Sequence, residues 1–163
     1  MRLRVIGVGQ RYRGDDEIGL IVAERVRALA PSHIEVVTEN ADAARLLGAF
    51  EGADACIAID SALGGGAPGA ILRLDADQIP ASQNGVPSSH GNALAEAIAL
   101  GHALGELPAR IRVVAVVGSD FRLGDTMSAA VQSAVADAVV VVLDELNAIA
   151  NHGADDPNPP QRP

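Results

Sequence analysis

The chain has a single cysteine, no tryptophan, one tyrosine and two phenylalanines among its 163 residues. One cysteine forbids an internal disulfide. That residue, Cys56, lies in the apolar run Ala55-Cys56-Ile57-Ala58-Ile59, where a small buried hydrophobe is expected in place of a reactive thiol. So few aromatics disfavour nucleic-acid binding by base stacking. Positive charge is also short: 12 basic residues stand against 21 acids, a formal net charge of −9. This balance disfavours phosphate backbones and anionic membranes, is compatible with a basic protein partner, and serves solubility equally well. No apolar run approaches the ~20 residues that span a bilayer. The longest is Ala138–Leu143. The amino terminus opens on strand-like sequence, so no secretory leader is expected. A soluble, cytoplasmic protein without nucleic-acid or membrane partners follows. Two hydrolase signatures are missing as well, since neither G-x-S-x-G nor H-E-x-x-H occurs.

What is present is a repeated alternation of strand and helix patterns. Apolar runs at Leu3–Val8, Ile34–Thr38, Ala53–Asp60, Ala70–Leu74 and Ile111–Val117 read as strands. Helices are expected over Asp16–Leu29, Ala41–Phe50, His90–Leu104, with Ser88 or Ser89 as N-cap, and Ser128–Ala150. The first helix carries Ile18, Ile21, Val22, Val26 and Leu29 on one face of a 3.6-residue period. Such alternation predicts an α/β three-layer sandwich: a mostly parallel five-stranded sheet with helices on both faces. Residues 1–150 read as a single domain, and the Pro-rich segment 151–163 as a disordered tail.

Chemistry concentrates at three places. Gly14-Asp15-Asp16-Glu17-Ile18-Gly19 follows the first strand and opens the first helix. In an open α/β sheet that point is the carboxyl edge, where ligands bind. Acids at a helix start favour the dipole, so capping explains Asp15 and offers an ordinary reading of Asp16 too. Asp60 ends a buried strand, and a carboxylate there needs a partner, a hydrogen bond or a metal. His90 stands before the third helix. Asp16, Asp60 and His90 together would offer two oxygens and one imidazole nitrogen, a set suited to a borderline divalent ion such as zinc or nickel. His33, in a turn, His102, near a helix C-terminus, and His152, in the tail, are weaker candidates. A dinucleotide site is disfavoured. Gly7-Val8-Gly9 begins such a fingerprint, but Tyr12 stands where its third glycine belongs, and three acids occupy the helix start that would face a pyrophosphate.

With Gly7-Val8-Gly9-Gln10, Gly14-Asp15-Asp16-Glu17-Ile18-Gly19, Ile59-Asp60-Ser61-Ala62 and Ser89-His90, the chain resembles the [NiFe]-hydrogenase maturation endopeptidases over about residues 2–149. The resemblance implies an endopeptidase that trims the C-terminus of a hydrogenase large-subunit precursor in the cytoplasm. It implies Asp16, Asp60 and His90 as both metal ligands and catalytic residues. It also implies that nickel held by the substrate is the recognition element, with zinc or cadmium able to stand in for it in vitro. Hydrolysis would then follow a metal-polarised carbonyl or metal-bound water, or a carboxylate acting as general base, as in an aspartyl-type protease. Three features depart from the family pattern: Gln10 where Asn is usual, Glu17 where Gly or Ala is common, and Thr38-Glu39-Asn40-Ala41-Asp42 where an Asp-Gly-Gly-Thr type loop is favoured. That last loop adds side chains and charge, and it keeps open an alternative in which the chain docks a metalloprotein without cutting it.

Overall fold

The computed structural model describes residues 1–79 and 93–154. The strands are β1 (Leu3–Val8), β2 (Glu35–Glu39), β3 (Ala55–Leu63), β4 (Ile71–Asp75) and β5 (Arg110–Gly118). The helices are α1 (Ile18–Leu29), α2 (Ala43–Phe50), α3 (Ala93–Leu104) and α4 (Ala129–Ala154). One sheet joins the strands in the order β2-β1-β3-β5-β4. Pairing is parallel throughout except between β4 and β5. The mostly parallel α/β sheet expected from the alternation is borne out. The antiparallel edge has a plain cause: residues 64–70, between β3 and β4, are too few to hold a crossover helix.

The central strands are apolar on both faces, as a doubly covered sheet requires. On one side Val5, Ile57, Ile59, Val114 and Val116 pack against Ile18, Val22 and Val26 of α1 and Val131, Val135 and Val142 of α4. On the other, Ile6, Val8, Ala58 and Val113 meet Leu46 and Phe50 of α2 and Leu94 and Ala97 of α3. Each fully buried Val, Ile or Phe contributes about 1.5–3 kcal/mol relative to exposure. Cys56 belongs to the second layer and is fully buried. Burial above all pushes its thiol up to about 12, so it is the inert hydrophobe expected.

Several boundaries among the described residues depart from the sequence expectation. Residues Gly14–Glu17 form a tight 3-10 turn, and the α-helix proper starts at Ile18 in place of Asp16. The expected start of α3 at His90, with its serine cap, lies outside the described residues. Helix α4 continues past Ala150 to Ala154, because no proline interrupts it there. The rest of the expected tail lies outside the described residues. Finally, β3 does not end at Asp60. It continues to Leu63 because β5 still pairs with it, from Asp60↔Ala115 to Leu63↔Gly118. Strand β1 pairs with β3 only as far as Gly7↔Ile59. The end of β3 therefore projects beyond β1. No helix among the described residues is long and apolar enough to cross a membrane.

Candidate active site

The carboxyl edge of the sheet is built by close backbone approach. A Cβ on Gly19 would overlap the carbonyl oxygens of Val8 and Ile59, and one on Gly9 would overlap that of Asp16. Glycine at these positions lets the first turn settle onto the ends of β1 and β3. The Gly7-x-Gly9 pattern is thus explained by helix–strand packing, without a phosphate.

The settled turn buries two adjacent acids in different surroundings. Asp15 is fully buried. Its Oδ2 accepts from the Ser119 N–H (2.8 Å), the Asp120 N–H (3.0 Å) and the Ser128 hydroxyl (3.0 Å). Its Oδ1 accepts from the Ser128 N–H at 2.7 Å. Burial raises its pKa, but the donors at Ser119, Ser128 and Asp120 outweigh it and hold the carboxyl below its ordinary range. Asp15 was expected to cap its own helix. It instead fastens the β5–α4 loop to the first turn, and no side chain caps that turn.

Asp16 is 1% exposed. Its Oδ1 accepts from the Ser61 hydroxyl at 3.2 Å, while its Oδ2 is buried with no hydrogen-bond partner among the described residues. Asp60 is 7% exposed, and its Oδ1 accepts from the Ser61 N–H at 2.8 Å. Its pKa lies well above the ordinary carboxylate value. Burial is the main cause, the Ser61 N–H opposes it, and the nearby Asp16 carboxylate adds to it. One residue, Ser61, therefore holds both acids: its amide orients Asp60 and its hydroxyl orients Asp16. Sequence reasoning gave Ser61 no role, although it adjoins Asp60 in the motif. The signal was its position: a hydroxyl next to a strand-end acid can reach across to the neighbouring turn.

The structure thus brings Asp16 and Asp60 together. His90 lies outside the described residues. Among the described residues no three His, Cys, Asp or Glu side chains converge to hold a metal. What is described is a pair of buried carboxylates in which Asp16 Oδ2 is buried and unclaimed, open in charge terms to a cation.

Two of the departures have local explanations. Glu17 is paired with Arg11 at 3.1 Å, which offsets its charge. Asp42 accepts from the Arg45 N–H at 2.9 Å as N-cap of α2, so its carboxylate serves the helix. A shallow cavity among Arg110, Arg112, Glu145, Ala148 and Ile149 lies at the opposite end of β5 and takes no part.

Comparison with known proteins agrees with this layout. Residues 20–145 match the model of the hydrogenase maturation protease family. The hydrogenase 2 maturation protease of Escherichia coli K12 is 28% identical over 120 residues, covering 72% of this chain and 73% of that protein. The solved hydrogenase maturating endopeptidase HybD from E. coli superposes with a TM-score of 0.80 at 25% identity, over 90% of this chain and 93% of that one. The [NiFe]-hydrogenase maturation protease HybD from Thermococcus kodakarensis shares the fold, with a TM-score of 0.68 at 22% identity over 88% and 98% of the two chains. An α/β domain with acids gathered at the carboxyl edge of its sheet is thus the scaffold of a peptidase. The chain belongs to the hydrogenase maturation protease family, and it is an endopeptidase.

Proposed function

We propose that this endopeptidase removes the C-terminal peptide of a [NiFe]-hydrogenase large-subunit precursor in the cytoplasm. Nickel already seated in that precursor is the mark it reads, through Asp16, Asp60 and His90. The observation that carries this reading is the unpartnered Oδ2 of Asp16, buried beside Asp60. A buried carboxylate oxygen without a donor costs at least about 1–3 kcal/mol, and a divalent ion offsets that cost. The names of the family and of its relatives support a hydrogenase as the substrate.

Nickel here belongs to the substrate. Three protein ligands leave coordination positions for the precursor's own groups, so recognition depends on a metal the precursor must already hold. When bound, the ion can polarise the scissile carbonyl. The residues of this chain prepare the encounter. Ser61 fixes the direction of both carboxylates, its amide holding Asp60 and its hydroxyl holding Asp16. The test is incubation with the large-subunit precursor, loaded with nickel or free of it. Loss of a C-terminal peptide, read by mass, is expected only from the loaded form. Equal trimming of both forms would refute nickel recognition, and no trimming of either would refute the substrate.

A further inference from the structure

We infer that the projecting end of β3, residues Ser61–Leu63, is the strand on which the substrate is laid. An extended segment of the precursor, next to the scissile bond, adds to the open edge as a further strand. The inference rests on the peptidase reading above and states how the polypeptide, as distinct from its nickel, is held.

Four observations carry it. First, β3 is paired on one side with β5 as far as Leu63, while β1 accompanies its other side only to Ile59. Strand β1 itself ends at Val8, and the Gly9 N–H that follows bonds to the Glu39 carbonyl of β2 at 3.2 Å, on the side away from β3. Second, the backbone groups on the open side are suited to pairing. The Ser61 N–H goes to Asp60 Oδ1 and not into the β5 ladder. Amides two residues apart on a strand face the same edge, so the Leu63 N–H and the Ser61 carbonyl face the side that β1 has left. No described strand takes them. An added peptide needs such a donor and acceptor in sequence.

Third, this edge lacks the usual protection against an incoming strand. The outer strand β2 carries Glu35 and Glu39, as edges commonly do. From Ser61 to Ala70 the chain carries no charge at all. Leu63 is 61% exposed, and Tyr12 (75%) and Leu123 (70%) are exposed in the loops that follow β1 and β5, at the carboxyl end of the sheet. Those loops are tied together, the Gly124 N–H donating to the Tyr12 carbonyl at 2.7 Å. Fourth, the open edge begins at Asp60, and Asp16 is bonded to Ser61. A chain paired along Ser61–Leu63 runs directly past both acids, which places its scissile bond beside the nickel it carries.

The test uses the full chain and nickel-loaded precursor, with Leu63→Ala and Leu63→Pro as variants. Proline deletes the amide hydrogen on the open edge, whereas alanine deletes only the side chain. KM for trimming is expected to rise about threefold to tenfold more in Leu63→Pro than in Leu63→Ala, with kcat held. Hydrogen exchange in the wild-type complex reads the same amide without substitution, and the Leu63 amide is expected to slow on precursor binding. This second measurement decides the matter if Leu63→Pro does not fold. Equal KM in the two variants and unchanged exchange at Leu63, in a protein that still trims, would overturn strand addition and leave the peptidase reading standing. Failure of the wild type to trim or bind nickel-loaded precursor would overturn both.

Discussion

Replacing Asp15 by Asn separates the two neighbouring acids by their function. The carboxylate accepts from the backbone at Ser119, Asp120 and Ser128 and from the Ser128 hydroxyl, all within 3.0 Å and all out of solvent. An amide keeps one acceptor oxygen. If that oxygen occupies the Oδ2 position, the new NH2 faces the Ser128 N–H, donor against donor. A buried donor left unsatisfied costs about 1–3 kcal/mol, and the remaining bonds lose the strengthening a full charge gives. A total of about 3 kcal/mol is expected, which lowers Tm by about 6–12 °C in a domain of this size. The effect depends on pH with a defined sign. The folded pKa of Asp15 lies below its unfolded value near 3.8. Its contribution is therefore complete above the unfolded value and is lost as pH falls through the folded one. Urea melts of both proteins from pH 7 downward should show a gap that is full above about pH 3.8 and narrows as pH falls below it. A variant within about 0.5 kcal/mol of the wild type at pH 7, the scale of an ordinary surface change, would refute the role given to Asp15. So would a gap that ignores pH.

Three further outcomes follow from the same geometry. Ser61→Ala removes the 3.2 Å bond to Asp16 and should cost about 0.5–1.5 kcal/mol in denaturant melts, with weaker nickel binding in calorimetry because Asp16 is no longer oriented. Asp60→Asn should lose nickel affinity yet gain stability over the wild type as pH rises past 3.8, because the raised folded pKa of Asp60 makes its ionisation increasingly unfavourable to the native state. A melt showing the opposite pH trend would show that the carboxylate is stabilised by partners. Gly19→Ala should destabilise by at least about 1–3 kcal/mol, since its methyl overlaps the Val8 and Ile59 carbonyls, and thermal melts check this directly.

Much of this architecture was legible from residue pattern. The apolar runs at Leu3–Val8 and Ile111–Val117 form strands covered on both faces, and Phe50 and Leu29 close their helices where the periodicity ends. The pairing of Asp16 with Asp60 was also expected, because parallel strands bring their ends to one edge. What could not be read were interactions set by distant segments. Asp15 looks like a helix cap because its partners, Ser119 and Ser128, lie more than a hundred residues away in sequence. The extension of β3 past Asp60 depends on how far β5 accompanies it, which the local sequence Ser61-Ala62-Leu63 does not reveal. The antiparallel edge was hidden for the same reason: the short loop before β4 sets strand direction, and only pairing with β5 shows it. The placement of His90 lies outside the described residues.

Asp16, Asp60 and His90 are proposed to share one divalent ion. Anomalous diffraction from crystals soaked with nickel or cadmium tests it most directly. The expected result is a single strong peak within about 2.0–2.6 Å of Asp16 Oδ2, an Asp60 carboxylate oxygen and a His90 ring nitrogen. A peak elsewhere, or His90 on the opposite side of the sheet from the two carboxylates, would rule out a shared ion.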